Sequence, residues 1–539
     1  MQVKKQMAVI VSFALVATLF AGCSGGGKDN GEASSASPSS ASTNSASPSP
    51  GPTAKAQKQI EFSMTSNIKD FSADPFGQKL LSDLNIKINP VVINGDQVEQ
   101  LKLRAASNNM PEVFALNAGD NTNLLYQWID QKIVRSIPDE MLNKYPVVKK
   151  MMDDSPFYQM IKKVKGGNYY IPRVVSQHYK ADWSSGIYYR KDWMKNVGIT
   201  KEPTTIDEWY QMMKAFTEKD PDQNGKNDTY GLLTLFGLWS GFTVFGIDLD
   251  NWVEEDGRYI PGYVSKKMLE PLKFYRKLYQ EKILDPEFAQ NTNVTKTFPK
   301  FTTGVFGTLI RNTDNYWLHR TIATEFGNAN AGKGDPLQLV GVLPPLVTSS
   351  GKASTPIAIQ ESANLISSKV DDEKLERILQ FYEYLRRPEN IRTMNYGFEG
   401  KEYLTNGTTI ARMTNPATGK PYLPADIAQK YPATQLYGFT DWGMDLYIDF
   451  DLLPQAYSDY AKVVRDRANA VVDSPNLVPR FLSTPNKDSL QLDYSTEITK
   501  IVMSNDDVDT MFNRFVQESM NKGLAKAIEE VNAKMKEIK

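Results

Sequence analysis

The chain has 539 residues, a formal net charge of −1 and one cysteine, and these properties exclude several functions. The near-zero net charge gives no excess of positive charge for holding nucleic acid or an anionic membrane surface. The single cysteine, Cys23, excludes an internal disulfide and a metal cluster built on cysteines. A chain of this length is too large for one hydrophobic core, so we expect two or more lobes.

The N-terminal region has the pattern of an exported lipoprotein. Two lysines precede an apolar run, Met7 to Phe20, that is too short for a stable transmembrane helix. The run ends in Leu-Phe-Ala-Gly-Cys, a lipobox pattern in which cleavage leaves Cys23 to carry fatty acyl chains such as palmitate. The Ser-, Ala- and Pro-rich stretch that follows has too little apolar surface to fold. We therefore predict a signal peptide over 1–22 and a lipid-bearing cysteine with a disordered tether over 23–58.

From Gln59 onward, strand patterns alternate with helix patterns. This alternation is typical of α/β proteins with parallel open sheets, in which ligands bind outside the carboxyl ends of the strands. Strands are predicted at 60–64, 86–93, 112–116, 186–189, 304–310 and 340–346, and helices at 97–107, 268–283, 372–387 and 507–539.

A capped helix is predicted just before an acidic loop. Thr205 and Glu208 have capping-box spacing, and apolar residues then recur at helical spacing until the helix ends before Asp220. Trp209 lies on this apolar face, and Trp193 lies in a similar context. We assign both indoles to the core.

The acidic loop has the spacing of an EF-hand calcium loop. Hard oxygen donors recur at loop positions 1, 3, 5 and 9, and Gly225 at position 6 permits the sharp turn that brings them together. Gly231 stands where a bidentate glutamate is expected at position 12, so a complete EF-hand is not predicted, and a polar turn is the alternative. The predicted ligands of a structural calcium ion are the side chains of Asp220, Asp222, Asn224 and Asp228 and the carbonyl of Lys226.

The segment from Gly186 to Gly231 resembles the lipoprotein solute-binding proteins of bacterial ABC importers. It contains in order Gly-Ile-Tyr-Tyr-Arg-Lys-Asp-Trp, a Pro-Thr-Thr helix start and an Asp-Pro-Asp loop. The likeness is strongest to the long, family 1 oligosaccharide-binding members of Gram-positive bacteria. It implies a type II periplasmic-binding-protein-like fold, with two α/β lobes joined by hinge crossings and a ligand cleft between them.

The resemblance also implies the division of the chain and its partners. Lobe 1 is expected at 59–180 and 355–430, lobe 2 with the calcium loop at 181–354 and 431–500, and C-terminal helices at 501–539. The lobes would close on an oligosaccharide about crossings near 172–188 and 347–358 and a third one. We expect a monomer at the extracellular face of the cell membrane, held there by its lipid anchor only. It would deliver the ligand to the transmembrane subunits of an ABC permease and have no nucleic-acid partner.

Aromatic side chains are the candidates for sugar contacts, because an indole can stack on the apolar C–H face of a pyranose. By the same resemblance, the proposed substrate-binding residues are Trp239, Trp317, Trp183 and Trp442. Core packing is the alternative for each of them.

Other functional classes stay open at this stage. A lipid-tethered polysaccharide-degrading enzyme, a peptide- or other solute-binding protein of the same fold, and a passive surface adhesin share the export signal. The sequence contains no nucleophile elbow, no His-Glu-x-x-His and no phosphate loop, and His178 and His319 have no motif partners. We therefore expect no catalytic residues and no enzymatic activity.

Overall fold

The computed structural model describes residues 58–119, 121–173, 186–235, 237–291, 293–357, 362–406, 409–441 and 454–538. They belong to one compact unit, residues 57–539. The predictions made for Cys23, Trp183 and Trp442 lie outside these residues.

The strands alternate with helices along the chain, as the sequence predicted. The strands are β1 (Ile60–Thr65), β2 (Ile86–Val91), β3 (Val113–Asn117), β4 (Tyr170–Arg173), β5 (Gly186–Arg190), β6 (Tyr230–Leu233), β7 (Trp252–Glu255), β8 (Arg258–Pro261), β9 (Phe306–Arg311), β10 (Val340–Val342), β11 (Ser362–Ile366), β12 (Tyr403–Asn406), β13 (Thr409–Arg412), β14 (Thr414–Asn415) and β15 (Lys420–Pro421). The longer helices are Pro75–Leu84, Gln97–Ala106, Thr122–Asp130, Pro146–Asp154, Pro156–Lys165, Ile206–Glu218, Leu269–Gln280, Asp372–Leu385, Pro388–Tyr396, Gln455–Asn469, Tyr494–Met503, Val508–Ser519 and Ala525–Ile538. Short helices include Asp139–Leu142, Lys191–Asn196, Trp239–Thr243, Asn315–His319, Pro336–Leu339, Pro424–Lys430, Val478–Phe481 and Pro485–Ser489.

The strands form two main sheets, each covered by helices. The first sheet has the order β2-β1-β3-β11-β4 and the second the order β10-β5-β9-β6. β1 runs parallel to β2 and β3, and β6 runs parallel to β9. β11 is antiparallel to both of its neighbours, and β5 is antiparallel to β9 and β10. The sheets are therefore mixed and not the parallel open sheets that the alternation suggested, because each sheet includes a strand that enters from the other sheet and runs against its neighbours.

The register places both connections between the sheets at the carboxyl ends of the parallel strands. In the first sheet, Ser362 at the start of β11 pairs with Asn117 and Arg173, the last residues of β3 and β4. In the second sheet, Gly186 at the start of β5 pairs with Arg311, the last residue of β9. The β4–β5 and β10–β11 connections thus join the two carboxyl edges, where ligands bind in open α/β sheets.

Each sheet has its own apolar core. Helix Asp372–Leu385 packs on the first sheet, where the rings of Phe62 and Phe381 meet edge to face at 6.1 Å. Helix Ile206–Glu218 packs on the second sheet and begins with the predicted capping box. Trp193 and Trp209 are buried there, as predicted. The C-terminal helices join this second core through Phe512, Ile528 and Val531.

Residues 431–441, which the sequence placed with the second lobe, pack with the first sheet. Ala433 is buried in the first core, and its backbone N–H donates to the Asp74 carboxylate at 2.7 Å. The next described helix, Gln455–Asn469, packs on the second sheet, where the Tyr460 hydroxyl accepts a hydrogen bond from Val342 N at 2.7 Å. The third crossing therefore follows Asp441 and lies outside the described residues.

Candidate functional site

A cavity of about 350 Å³ opens at the carboxyl edge of the first sheet. Its walls are the ends of β1, β2 and β4 and the segment 435–439 that packs beside them. The lining residues are Thr65, Ser66, Asn67, Ile68, Val91, Ile93, Gly95, Gln97, Ala115, Arg173, Asn364, Gln435, Gly438 and Phe439.

Neutral polar and apolar residues share this lining about equally, and hydrogen bonds to the backbone hold two of the amide side chains in place. The Asn364 amide nitrogen donates to Phe439 O at 2.6 Å and to Ile171 O at 3.3 Å. The Gln97 amide nitrogen donates to Ala115 O at 2.8 Å. Side chains that both donate and accept hydrogen bonds, next to apolar neighbours such as Phe439, suit a ligand with hydroxyl groups and C–H faces.

Arg173 is the charged residue of this wall among the described residues. Its Nε donates to the carbonyl oxygen of Asp441 at 3.4 Å, while the Asp441 carboxylate accepts from Arg386 at 2.9 Å. Burial lowers the pKa of Arg173, and Tyr437 and Asp441 partly offset that effect. Through this hydrogen bond, the Arg173 side chain connects β4 to Asp441, the last described residue before the third crossing.

Two of the predicted tryptophans follow the parallel strands of the second sheet. Trp239 begins the short helix after β6 and is half-buried against the second core. Trp317 lies in the short helix after β9, whose N-terminus is capped by Asp314. Because β6 and β9 are parallel, both indoles lie at the carboxyl edge of the second sheet. The structure does not identify a ligand for either of them.

The surroundings of Trp317 limit how it could stack on a sugar. The guanidinium groups of Arg311 and Arg320 lie 4.8 and 4.9 Å from the indole centroid, and both bind the Glu325 carboxylate. The ring of Tyr316 meets the indole edge-on at 5.2 Å. A sugar can therefore stack only on a part of the indole face that no arginine covers.

Tyr437 lies in the segment 435–439, whose residues Gly438 and Phe439 line the cavity. Burial is the main cause that raises the pKa of Tyr437, and Arg173 partly offsets that rise. Tyr316, in the short helix after β9, adds a smaller electrostatic contribution to the rise.

A second cavity of about 540 Å³ lies between segments of the two halves. The first half contributes helix Gln97–Ala106 and the residues after β3, and the second half contributes residues that pack with the C-terminal helices. The lining residues are Lys102, Gly119, Asn121, Thr122, Asn123, Leu124, Gln127, Asp250, Arg480 and Lys487.

The acidic loop after helix Ile206–Glu218 folds back on itself. Both oxygens of the Asp220 carboxylate accept backbone N–H groups, from Asn224 at 3.1 Å and Gly225 at 2.9 Å. The Asn224 amide nitrogen donates to Asp222 at 2.8 Å and to Asp228 at 3.2 Å. Hydrogen bonds within the loop thus bring the Asn224 side chain to the carboxylates of Asp222 and Asp228, while the Asp220 carboxylate holds the backbone turn beside them.

The chemistry of this donor set fits a hard cation. The side-chain donors are oxygen atoms, and burial together with the nearby Asp220 carboxylate raises the pKa of Asp222. The Asn224 amide nitrogen takes the place between the carboxylates in this conformation. Within the described ranges, no group of three or more His, Cys, Asp or Glu side chains has the geometry of a formed metal site.

One protein-family model matches more than half of the chain. The model of the family described as bacterial extracellular solute-binding protein matches residues 72–391. The chain belongs to this family. The membership predicted from residues 186–231 is thereby confirmed.

Two curated relatives come from Bacillus subtilis (strain 168). The chain is 30% identical to lipoprotein LipO over 223 residues, which cover 40% of this chain and 43% of LipO. It is 27% identical over 227 residues to the polygalacturonan/rhamnogalacturonan-binding protein YtcQ, covering 40% of this chain and 43% of YtcQ. The aligned parts thus span less than half the length of either relative.

A solved structure extends the likeness to nearly the whole described chain. The Streptococcus pneumoniae ABC-transporter substrate-binding protein FusA in complex with kestose superposes with a TM-score of 0.64 at 19% identity, covering 89% of this chain and 98% of FusA. A FusA EF-hand mutant in complex with fructo-nystose gives 0.63. The fold is therefore the predicted two-sheet, type II periplasmic-binding-protein fold.

Sequence reasoning missed the lining of both cavities. Thr65 ends β1, Ser66 and Asn67 follow it, and Gly119 and Asn121 come after β3, so the rule that ligands bind at carboxyl ends could have selected them. Nothing in the local sequence shows that Gln435 or Lys487 reaches these cavities, since both depend on long-range packing.

Proposed function

We propose that this chain is the extracellular substrate-binding component of an ABC importer and captures an oligosaccharide. The observation that carries the proposal is the cavity at the carboxyl edge of the first sheet. Its neutral hydrogen-bonding side chains and apolar neighbours match the alternating hydroxyl and C–H surface of a sugar. Trp239 and Trp317 follow the parallel strands of the opposite sheet and supply aromatic surface, with Trp183 and Trp442 as further candidates from the sequence.

Family membership supports this proposal, and so does the naming of FusA and YtcQ for oligosaccharide or polysaccharide binding. Binding should bring the two sheet regions together, because each can contact only part of a sugar chain. The crossings then act as hinges, and the closed shape is what the permease subunits would recognise.

We propose that the second crossing is shorter than the expected stretch 347–358. Val347 N donates to Thr204 O at 2.8 Å, and Ile206 N donates to Val347 O at 3.1 Å. Thr355 N donates to Val471 O at 3.1 Å. These bonds fix residues 347–355 to the second-sheet side, so we place the bend after Thr355. We keep the proposed division into lobe 1, lobe 2 and C-terminal helices. The boundary expected at residue 431 is moved beyond Asp441.

The test is titration calorimetry of the folded body, residues 58–539, against a panel of neutral and acidic oligosaccharides, with product analysis of the same mixtures. Saturable binding without new reducing ends is the expected result. New reducing ends would favour the alternative, a polysaccharide-degrading enzyme. Saturable binding of peptides instead of sugars would favour a peptide-binding protein of the same fold.

We place the protein at the outer face of the cell membrane, anchored by a lipid on Cys23. The signal peptide and lipobox pattern support this, and so does the relative named lipoprotein LipO. In the part of the chain that the structure describes, no helix has the length and hydropathy needed to cross a bilayer. We propose that this lipid is the membrane contact of the protein and that the protein is a monomer.

We further propose that the acidic loop holds a structural calcium ion. Asp220, Asp222 and Asp228 would supply carboxylate oxygens, with the Asn224 side chain and the Lys226 carbonyl beside them. Calcium would neutralise the crowded carboxylates and fix the loop that ends helix Ile206–Glu218. FusA has an EF-hand, which the solved mutant alters, and this supports a cation loop in a protein of the same fold.

A further inference from the structure

Positive side chains outnumber negative ones in the second cavity. Among its described lining residues, Lys102, Arg480 and Lys487 are cationic and Asp250 is acidic. Asp120, next to Gly119, is outside the described residues. The remaining lining is mostly amide and hydroxyl groups, which can hydrogen-bond to either charged or neutral ligands.

Lys487 is the one cation of this lining that makes no hydrogen bond to a carboxylate among the described residues. Its ammonium group donates to the carbonyl oxygens of Arg480 and Leu482, which bear no net charge. The neighbouring Asp488 carboxylate accepts instead from the hydroxyl of Ser483. Burial lowers the pKa of Lys487 to about 8, and the Asp488 carboxylate partly offsets that effect. Because burial disfavours the charged form of this partly buried side chain, an anion in the cavity would stabilise it.

The other two cations, Lys102 and Arg480, each form an ion pair with a carboxylate that does not line the cavity. Lys102 donates to Glu99 at 2.8 Å on the exposed face of its helix, and Arg480 lies 3.1 Å from Asp248. The Tyr494 hydroxyl donates to Asp250 at 2.6 Å. The acidic lining residue is therefore already engaged in a hydrogen bond, and the cavity has no second acidic group among its described lining.

The first cavity has the same sign of charge. Arg173 is its charged residue, and its described lining includes no carboxylate. Helix Gln97–Ala106 contributes to both cavities, Gln97 to the first and Lys102 to the second. A ligand that follows the carboxyl edge of the first sheet thus meets positive charge at both places.

We infer that the captured oligosaccharide carries anionic substituents, and that Lys487, supported by Lys102 and Arg480, binds one of them in the second cavity. This rests on the proposed oligosaccharide-binding function. Carboxylate and sulfate groups share the required chemistry: a negative oxygen cluster that a lysine ammonium can bind as a point charge.

The experiment compares charged and neutral forms of the same sugar by titration calorimetry. Oligogalacturonate is paired with its methyl ester, and a sulfated oligosaccharide is paired with its desulfated form. We expect at least one acidic form to bind about tenfold to a hundredfold more tightly than its neutral partner, as one charge-assisted hydrogen bond provides. That preference should shrink as salt is added.

Two lysine variants test which residues produce the preference for the acidic form. Lys487→Met keeps the aliphatic stem and should remove most of the preference for the acidic form, while Lys102→Gln should reduce it less. Lys266→Gln is the matched control, because Lys266 is an exposed lysine paired with Asp256. If circular dichroism shows that Lys487→Met does not fold, Lys102→Gln tests the inference instead. The measurement is then how far salt reduces the preference of this variant for the acidic form.

The outcomes separate this inference from the proposed function. Equal or tighter binding of the neutral forms would overturn the inference and leave oligosaccharide binding intact. An undiminished preference in both lysine variants would also overturn it. Failure of every oligosaccharide in the panel to bind would overturn the proposed function together with the inference.

Discussion

Removing calcium should destabilise the protein through the acidic loop, and Asp220→Asn should abolish that response. Asp220 anchors the loop by accepting two backbone N–H groups with its two carboxylate oxygens. Its φ of 47° is left-handed, a conformation that asparagine tolerates well. The substitution therefore removes a negative ligand without straining the backbone.

The magnitude follows from mass action. Calcium at a hundred times its dissociation constant adds about 2.7 kcal/mol to the free energy of unfolding. A folded region of about 480 residues has an unfolding entropy of about 1 kcal/mol/K near the midpoint, so the expected rise in Tm is about 3 °C. The pKa of Asp222 is raised, so protons should compete with calcium and the rise should shrink as the pH falls through that raised pKa.

The assay is differential scanning calorimetry with and without a calcium chelator. The control is Asp256→Asn, which changes another aspartate at positive φ, paired with Lys266 on the surface. We expect chelation to lower the Tm of the wild type and of the control. The Tm of Asp220→Asn should be the same with and without chelator. An equal chelator response in all three proteins, or none in wild type with no calcium found by elemental analysis, would show that the loop is only a polar turn.

Three further predictions concern other parts of the chain. Cys23→Ser should release the protein from cells or stall its processing, whereas membrane retention with normal cleavage would contradict lipidation. Trp239→Ala and Trp317→Ala should each weaken oligosaccharide binding by roughly a hundredfold without unfolding the protein, and unchanged calorimetric affinity in both would reject this site. Burial raises the pKa of Asp314 to about 7, above its unfolded value, so its contribution to stability is present below pH 4 and is lost as the pH rises through 7. Asp314→Asn should flatten the pH dependence of chemical denaturation between pH 4 and 7, and an unchanged slope would refute this assignment.

Local signals predicted the elements that depend on neighbouring residues. The capping box of Thr205 and Glu208 fixed the start of helix Ile206–Glu218, because both partners lie within one turn. The strand predicted at 340–346 is shorter, Val340–Val342, since Pro344 and Pro345 cannot continue a ladder. Such boundaries depend on residues that are close together in sequence, so they can be predicted from the sequence.

Features that depend on packing between distant segments were not predicted. β11 is antiparallel because it enters the first sheet at the carboxyl edge, between β3 and β4. The position of 431–441 beside the first sheet depends on contacts between residues far apart in sequence, such as the bonds from Ala433 N to Asp74 and from Asn364 to Phe439 O.

Small-angle X-ray scattering of residues 58–539 tests the central claim most directly. The protein would be measured alone and at a saturating concentration of an oligosaccharide whose binding calorimetry has established. If the two sheet regions close on the sugar, the radius of gyration falls on binding and returns when the sugar is removed. A scattering profile that is identical with and without saturating oligosaccharide would contradict capture by closure.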